Sequence, residues 1–104
     1  MNAHSNIAEK VRKALLKELA DWSSKRAVSA MKETDKPYEV LSLCSIEVAD
    51  ILLTMEERFR VSLPNSLYEN FKSMTLACII QEIVSEIVKD RISHAVRAQE
   101  PAQD

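Results

Sequence analysis

From Asn6 to about Trp22, the apolar residues Ile7, Val11, Ala14, Leu15 and Leu19 fall at i, i+4, i+7, i+8 and i+12, with Lys10, Arg12, Lys13 and Lys17 between them. Steps of three and four residues bring side chains to one face of a helix, so this segment is expected to be amphipathic and helical. Ser5 or Asn6 is placed to cap it, through a side-chain oxygen that accepts from a first-turn amide. Residues 23–34 are polar, with Ala27, Val28, Ala30 and Met31 enough for a second short helix, and both helix and loop stay open there. Pro37 lacks an amide hydrogen and disfavours helical geometry at Lys36, so Pro37 to Cys44 is read as an ordered loop.

A second strong helix is expected from about Ser45 to Phe59. Val48, Leu52, Met55 and Phe59 repeat at 4-3-4 spacing, and Ile46, Ala49 and Leu53 widen the stripe. Arg60 to Pro64 connects it to a short helix over Asn65 to Phe71, with Leu67, Tyr68 and Phe71 inward. Ser73 or Thr75 then caps a long last helix, whose buried stripe is Leu76, Ile80, Ile83 and Ile87, widened by Ile79, Val84 and Val88. The pattern weakens after Ile92, which together with Ala95 and Val96 is expected on the surface, and the ends 1–5 and 98–104 are expected to fray.

Composition narrows the class. The 104 residues include no glycine and only three prolines, so tight hairpins lack their usual turn residue and an all-α single domain is expected. Three substantial helices and a short one form a four-helix bundle, with a long loop between the first and second main helices. No segment approaches the roughly 20 apolar residues of a membrane span, and Met1 to Asn6 lacks a basic-then-apolar signal pattern, so a cytoplasmic, soluble protein is expected. Residues 1–34 carry a formal charge of +3 and residues 35–104 of −5. That acidic main part argues against a nucleic-acid partner.

The cysteines, Cys44 and Cys78, show no Cys-x-x-Cys spacing, and His4 and His94 complete no zinc set. Cys44 is read as a partly exposed or small packing residue and Cys78 as core. Met31, Met55 and Met74 are read as core, and Trp22, Tyr38 and Tyr68 as packing residues. No nucleophile–base pair, carboxylate dyad or metal cluster is visible, and the chain is not expected to be an enzyme.

Leu41-Ser42-Leu43-Cys44-Ser45-Ile46-Glu47 runs into Met55-Glu56-Glu57-Arg58-Phe59 and then Leu63-Pro64. This resembles the acyl carrier protein family, in which Leu-Gly-x-Asp-Ser-Leu opens the second helix, Leu-Glu-Glu-x-Phe closes it and Ile-Pro follows, all in the same register. Ile7-Ala8-Glu9-Lys10-Val11 is similar to the family's opening Ile-Glu-Glu-Arg-Val, and Phe71 to Thr75 to its Ile-Thr-Thr-Val run. The likeness covers most of residues 6–90, with extra residues between Leu19 and Pro37.

The resemblance implies a carrier fold and a 4'-phosphopantetheine arm that a phosphopantetheinyl transferase moves from coenzyme A to Ser45. The arm's thiol holds an acyl, aminoacyl or polyketide intermediate as a thioester. A helix N-terminus suits the phosphate, because its free amides and dipole favour an anion there, although an N-cap role alone also explains the serine. Two positions depart from the family: Ser42 replaces glycine and Cys44 replaces an acidic residue. The implied partner-docking residues are Leu43, Cys44, Ile46, Glu47, Asp50, Glu56 and Glu57. Arg58 and Arg60 dilute that acidic face, which points to the loading ligase, synthase or transferase of a dedicated pathway rather than the general fatty-acid machinery. A monomer is expected. The alternative is a carrier-like helical docking protein that is not phosphopantetheinylated.

Overall fold

The computed structural model describes the backbone of residues 3–99 and the side chains of residues 6–92. Among the described residues six α-helices run in the order α1 (Ala3–Trp22), α2 (Lys25–Ala30), α3 (Pro37–Val40), α4 (Ser45–Phe59), α5 (Asn65–Asn70) and α6 (Leu76–Gln99), with a 3-10 turn (Phe71–Ser73) after α5. The fold is all-α, and there is no strand among the described residues. The expected fraying at 1–5 and 98–104 falls partly on residues outside that description; Ala3 to Ser5 and Ala98 to Gln99 are helical.

The helix α1 occupies the centre, packing against α6, α4 and α2. Its stripe of Ile7, Val11, Ala14, Leu15 and Leu19 is buried, as the periodicity predicts. Val48, Ile51, Leu52 and Met55 face it from α4, and Leu76, Ile79, Ile80, Ile83 and Ile87 from α6. One contiguous apolar cluster results, extended by Leu63, Leu67 and Phe71. Removing such side chains from water is the main stabilising term, about 1.5–3 kcal/mol for each fully buried Leu or Ile.

Several expectations are corrected. The helix α1 begins at Ala3, so Ser5 and Asn6 lie within it and do not precede it as caps. Residues 23–34 resolve into α2, whose cap is Ser24: its Oγ accepts from the Ala27 amide at 3.0 Å. Pro37 to Val40 is a turn of helix and not a loop, because a proline at the first helical position forfeits only an amide that has no intrahelical partner. On α4, Ile46 (79% exposed) and Leu53 (51%) face solvent, while Ile51 takes the buried place. Cys78 is exposed, since it falls between the buried steps Leu76, Ile79 and Ile80. Trp22 is also exposed, whereas Tyr38 and Tyr68 pack on the core. Ile92 is exposed as expected; the side chains of Ala95 and Val96 lie outside the described residues.

The chain from Met31 to Lys36 is tied down at several points. Lys32 donates its amide to Asp35 Oδ2 at 2.8 Å. The amides of Leu76 and Ala77 in the first turn of α6 donate to the carbonyls of Asp35 (2.8 Å) and Glu33 (3.0 Å). Glu33 also pairs with Arg12 of α1. Thr75 supplies the α6 cap, its Oγ1 accepting from the Cys78 amide at 3.2 Å. These bonds satisfy helix-end amides that would otherwise lack partners and dock the connection on α1 and α6.

Among the described residues two lie in the left-handed region, Ser42 (φ 52°) and Arg60 (φ 53°). Ser42 closes α3: its amide donates to the Glu39 carbonyl at 3.2 Å and the Leu43 amide reaches back to Tyr38 at 3.0 Å. This is the two-bond arrangement that usually ends a helix on glycine. A β-carbon costs roughly 1–2 kcal/mol in this region, of which glycine's greater chain entropy on unfolding cancels a part. Ser42→Gly is therefore expected to raise unfolding stability by roughly 0.5–1 kcal/mol, and Ser42→Val to lower it by at least ~1 kcal/mol, in urea titrations. A valine variant as stable as the native chain would contradict the left-handed turn.

Candidate functional site

The turn at Ser42 delivers the chain to the start of α4. Leu41 and Leu43 on either side of it are buried, which pins the turn to the core and leaves Ser42 outside. Leu43 therefore packs inward and is not a surface position that a partner reads, in contrast to the sequence expectation. Cys44 follows in extended geometry (φ −114°, ψ 169°) as the cap residue. Its amide donates to Glu47 Oε1 at 2.8 Å, while its carbonyl accepts the first helical bond from Val48 at 3.0 Å. Glu47 thus closes the entrance of α4 from within the first turn.

Ser45 is the first residue of this 15-residue helix and is exposed. Cys44 and Ile46, on either side, are exposed as well. At this end of α4 the first-turn amides point outward along the axis and carry the positive end of the helix dipole. The arrangement presents a hydroxyl, reachable from solvent, where an anionic substituent is electrostatically favoured. The exposed face continues along α4 through Asp50, Leu53 and Glu57.

Glu56, one of the expected docking residues, is bonded within the fold. It is half-buried, with Oε2 accepting from the Leu63 amide at 2.6 Å and Oε1 from the Tyr68 hydroxyl at 3.1 Å. The carboxylate ties the end of α4 to the connector and to α5. The helix itself ends on left-handed Arg60, and the Val61 amide returns to the Glu56 carbonyl at 3.1 Å. Helical spacing puts Glu56 at the border of the buried stripe and Glu57 opposite it; what the local pattern Met-Glu-Glu-Arg-Phe leaves out is the pair of partners, the Leu63 amide and the Tyr68 hydroxyl, that engage Glu56.

Among the described residues no group of three or more His, Cys, Asp or Glu side chains is placed to hold a metal ion. No helix among them is long and apolar enough to cross a membrane. No family model, curated protein or solved structure matches the chain.

Burial, the hydrogen bond to Glu56 and that carboxylate's charge, in that order, push the Tyr68 hydroxyl up from 10.0 to about 12. Each favours the neutral phenol in the folded chain, so this stabilising contribution is complete below pH 10 and is lost as pH rises from 10 to about 12. Phenolate absorbance is expected to show a late-titrating component near pH 12 that Tyr68→Phe removes and Glu56→Gln moves to lower pH. Persistence of that component in the phenylalanine variant would contradict the assignment.

Proposed function

We propose that this protein is a carrier: Ser45 takes a 4'-phosphopantetheine arm, and the arm holds a pathway intermediate as a thioester. The observation that carries the reading is Ser45 itself, exposed on the first residue of a 15-residue helix immediately after a glycine-type turn. The motif resemblance puts a glycine at position 42, and position 42 has the left-handed backbone that favours glycine. Sequence register and backbone geometry therefore agree at a position where the residue itself departs from the family. The acyl-carrier-like arrangement of the helices belongs to the same proposal, supported by α1, α4 and α6 as the long elements, a short α5, and an α1–α4 connection that lengthens around α2.

The residues present suit the arm. Ser45 supplies the hydroxyl oxygen that becomes the phosphodiester link while the adenine nucleotide half of coenzyme A leaves. The first-turn amides of α4 face the resulting negative charge. Glu47, held by the Cys44 amide, keeps the helix start closed and its own carboxylate engaged. When attached, the arm contributes a flexible thiol that forms thioesters; the protein contributes position and recognition. Exposed Cys44, Ile46, Asp50 and Glu57 flank or follow Ser45 on the same helix and are the residues a transferase or loading enzyme would meet.

Cys44 favours a second reading. The resemblance expects an acidic residue there, and cysteine in place of a carboxylate weakens electrostatic recognition by a transferase, leaving a helical docking protein without an arm. Intact-mass measurement after incubation with coenzyme A, magnesium and a broad-specificity phosphopantetheinyl transferase separates the two. The carrier reading expects a gain equal to one phosphopantetheine, abolished by Ser45→Ala and enhanced by Cys44→Asp. A gain that survives Ser45→Ala would move the arm elsewhere. No gain in either the native or the Cys44→Asp chain would leave the docking reading.

A further inference from the structure

A second feature lies at the other end of α4. Arg58, on its last turn, faces α1 across a cleft of about 340 Å³ whose other charged walls are Lys10, Lys13 and Lys17. These lysines, at i, i+3 and i+7, lie along one side of α1, spanning about 10 Å of its length. The floor is apolar, made by Ala14 and half-buried Phe59. None of the lining residues is acidic. All four cations are exposed, and none takes part in an ion pair among the described residues, where Arg12, Lys36 and Lys89 do. Four cations line one cleft with no acid among its walls, an arrangement that suits an anionic ligand.

The form of the cleft selects the ligand. It runs along the body of α1 and the end of α4, where backbone amides are used within the helices, so only side chains donate. A lone phosphate favours convergent backbone donors at a helix start, which this place lacks. A lipid surface favours large apolar side chains that stand out from a basic face, and here Phe59 is half-buried and Ala14 buried between the cations. Nucleic acid requires an extended basic track, whereas residues 35–104 carry a net −5. Spaced lysines, a forked guanidinium and an apolar floor between them match carboxylates flanking an apolar side chain.

We propose that the cleft between α1 and the last turn of α4 docks an acidic segment of a partner protein, with an apolar side chain of that segment seated on Phe59 and Ala14. Arg58 lies thirteen residues from Ser45, about 20 Å along α4. The site is therefore separate from the attachment point and stands whether or not Ser45 is modified. A partner bound here meets the protein at the opposite end of the helix that begins with Ser45.

The test is titration of the full chain with a fluorescent peptide carrying glutamates around a central leucine, read by anisotropy and by amide NMR. Saturable binding that weakens with salt is expected, with shifts centred on Lys10, Lys13, Lys17, Arg58 and Phe59. Lys13→Gln/Arg58→Gln is expected to weaken binding ~10-fold, Lys13→Glu/Arg58→Glu to weaken it further, and Lys25→Gln/Arg26→Gln to leave it unchanged. The neutral pair serves if charge reversal disturbs folding. Equal binding by the neutral pair, shifts centred elsewhere, or no saturable binding would overturn the proposal. So would tighter binding of inorganic pyrophosphate, anionic phospholipid vesicles or single-stranded DNA by the native chain.

Discussion

The position of Ser45 depends on one local constraint: the burial of Leu41 and Leu43 on either side of a left-handed residue. Here the chain comes off the helical turn α3 at Leu41, and a left-handed residue between the two leucines returns it to the core at Leu43. Ser42 makes that turn at φ 52°, and the Leu43–Tyr38 bond locks it. Burying two leucines is worth about 3–6 kcal/mol, more than the roughly 1–2 kcal/mol a side chain costs in the left-handed region, so the turn holds without glycine. Cys44 then leaves in extended geometry, and α4 starts with Ser45 on the surface. A shift of one residue in this turn would take a leucine out of the core and move the serine off the start of the helix.

The faces of α1 and α4 divide the remaining tasks. On α1 the stripe from Ile7 to Leu19 is buried, while Arg12 holds the connection through Glu33 and Lys10, Lys13 and Lys17 point to a different side. On α4 the buried residues Val48, Ile51, Leu52 and Met55 fix the helix against the core, which leaves Ile46, Asp50, Leu53 and Glu57 exposed. Glu56 sits between these sets and secures the exit toward α5, as Glu47 secures the entrance. The two carboxylates at the ends of α4 are framework, and the solvent-facing side chains between them are free for recognition.

Long periodic segments were legible from sequence because burial imposes their spacing directly. The span from Ser45 to Phe59 and the stripe of α6 follow from apolar residues three and four apart. Features that depend on partners distant in the chain were not. Pro37 reads as a breaker, yet it starts a turn of helix once Leu41 and Leu43 draw that segment into the core. Leu43 looks like part of a surface motif and is buried. Cys78 lies one step off the α6 stripe, an offset that the spacing of Leu76, Ile79 and Ile80 does contain. Glu56 borders the buried stripe while Glu57 lies opposite it, but its partners Leu63 and Tyr68 lie seven and twelve residues on. The three lysines of the cationic cleft share a helix side in sequence, but only the packing of α1 on α4 adds Arg58.

Cys44 concentrates the functional question, since it replaces the acidic neighbour that carrier resemblance leads one to expect while the backbone around it keeps the geometry that presents Ser45. The proposed role is decided most directly in the cells that make the protein. The measurement is the mass of the proteolytic fragment containing Ser45, taken from endogenous protein. A fragment carrying phosphopantetheine on Ser45 is the expected result; a fragment uniformly unmodified across growth conditions would contradict the carrier assignment.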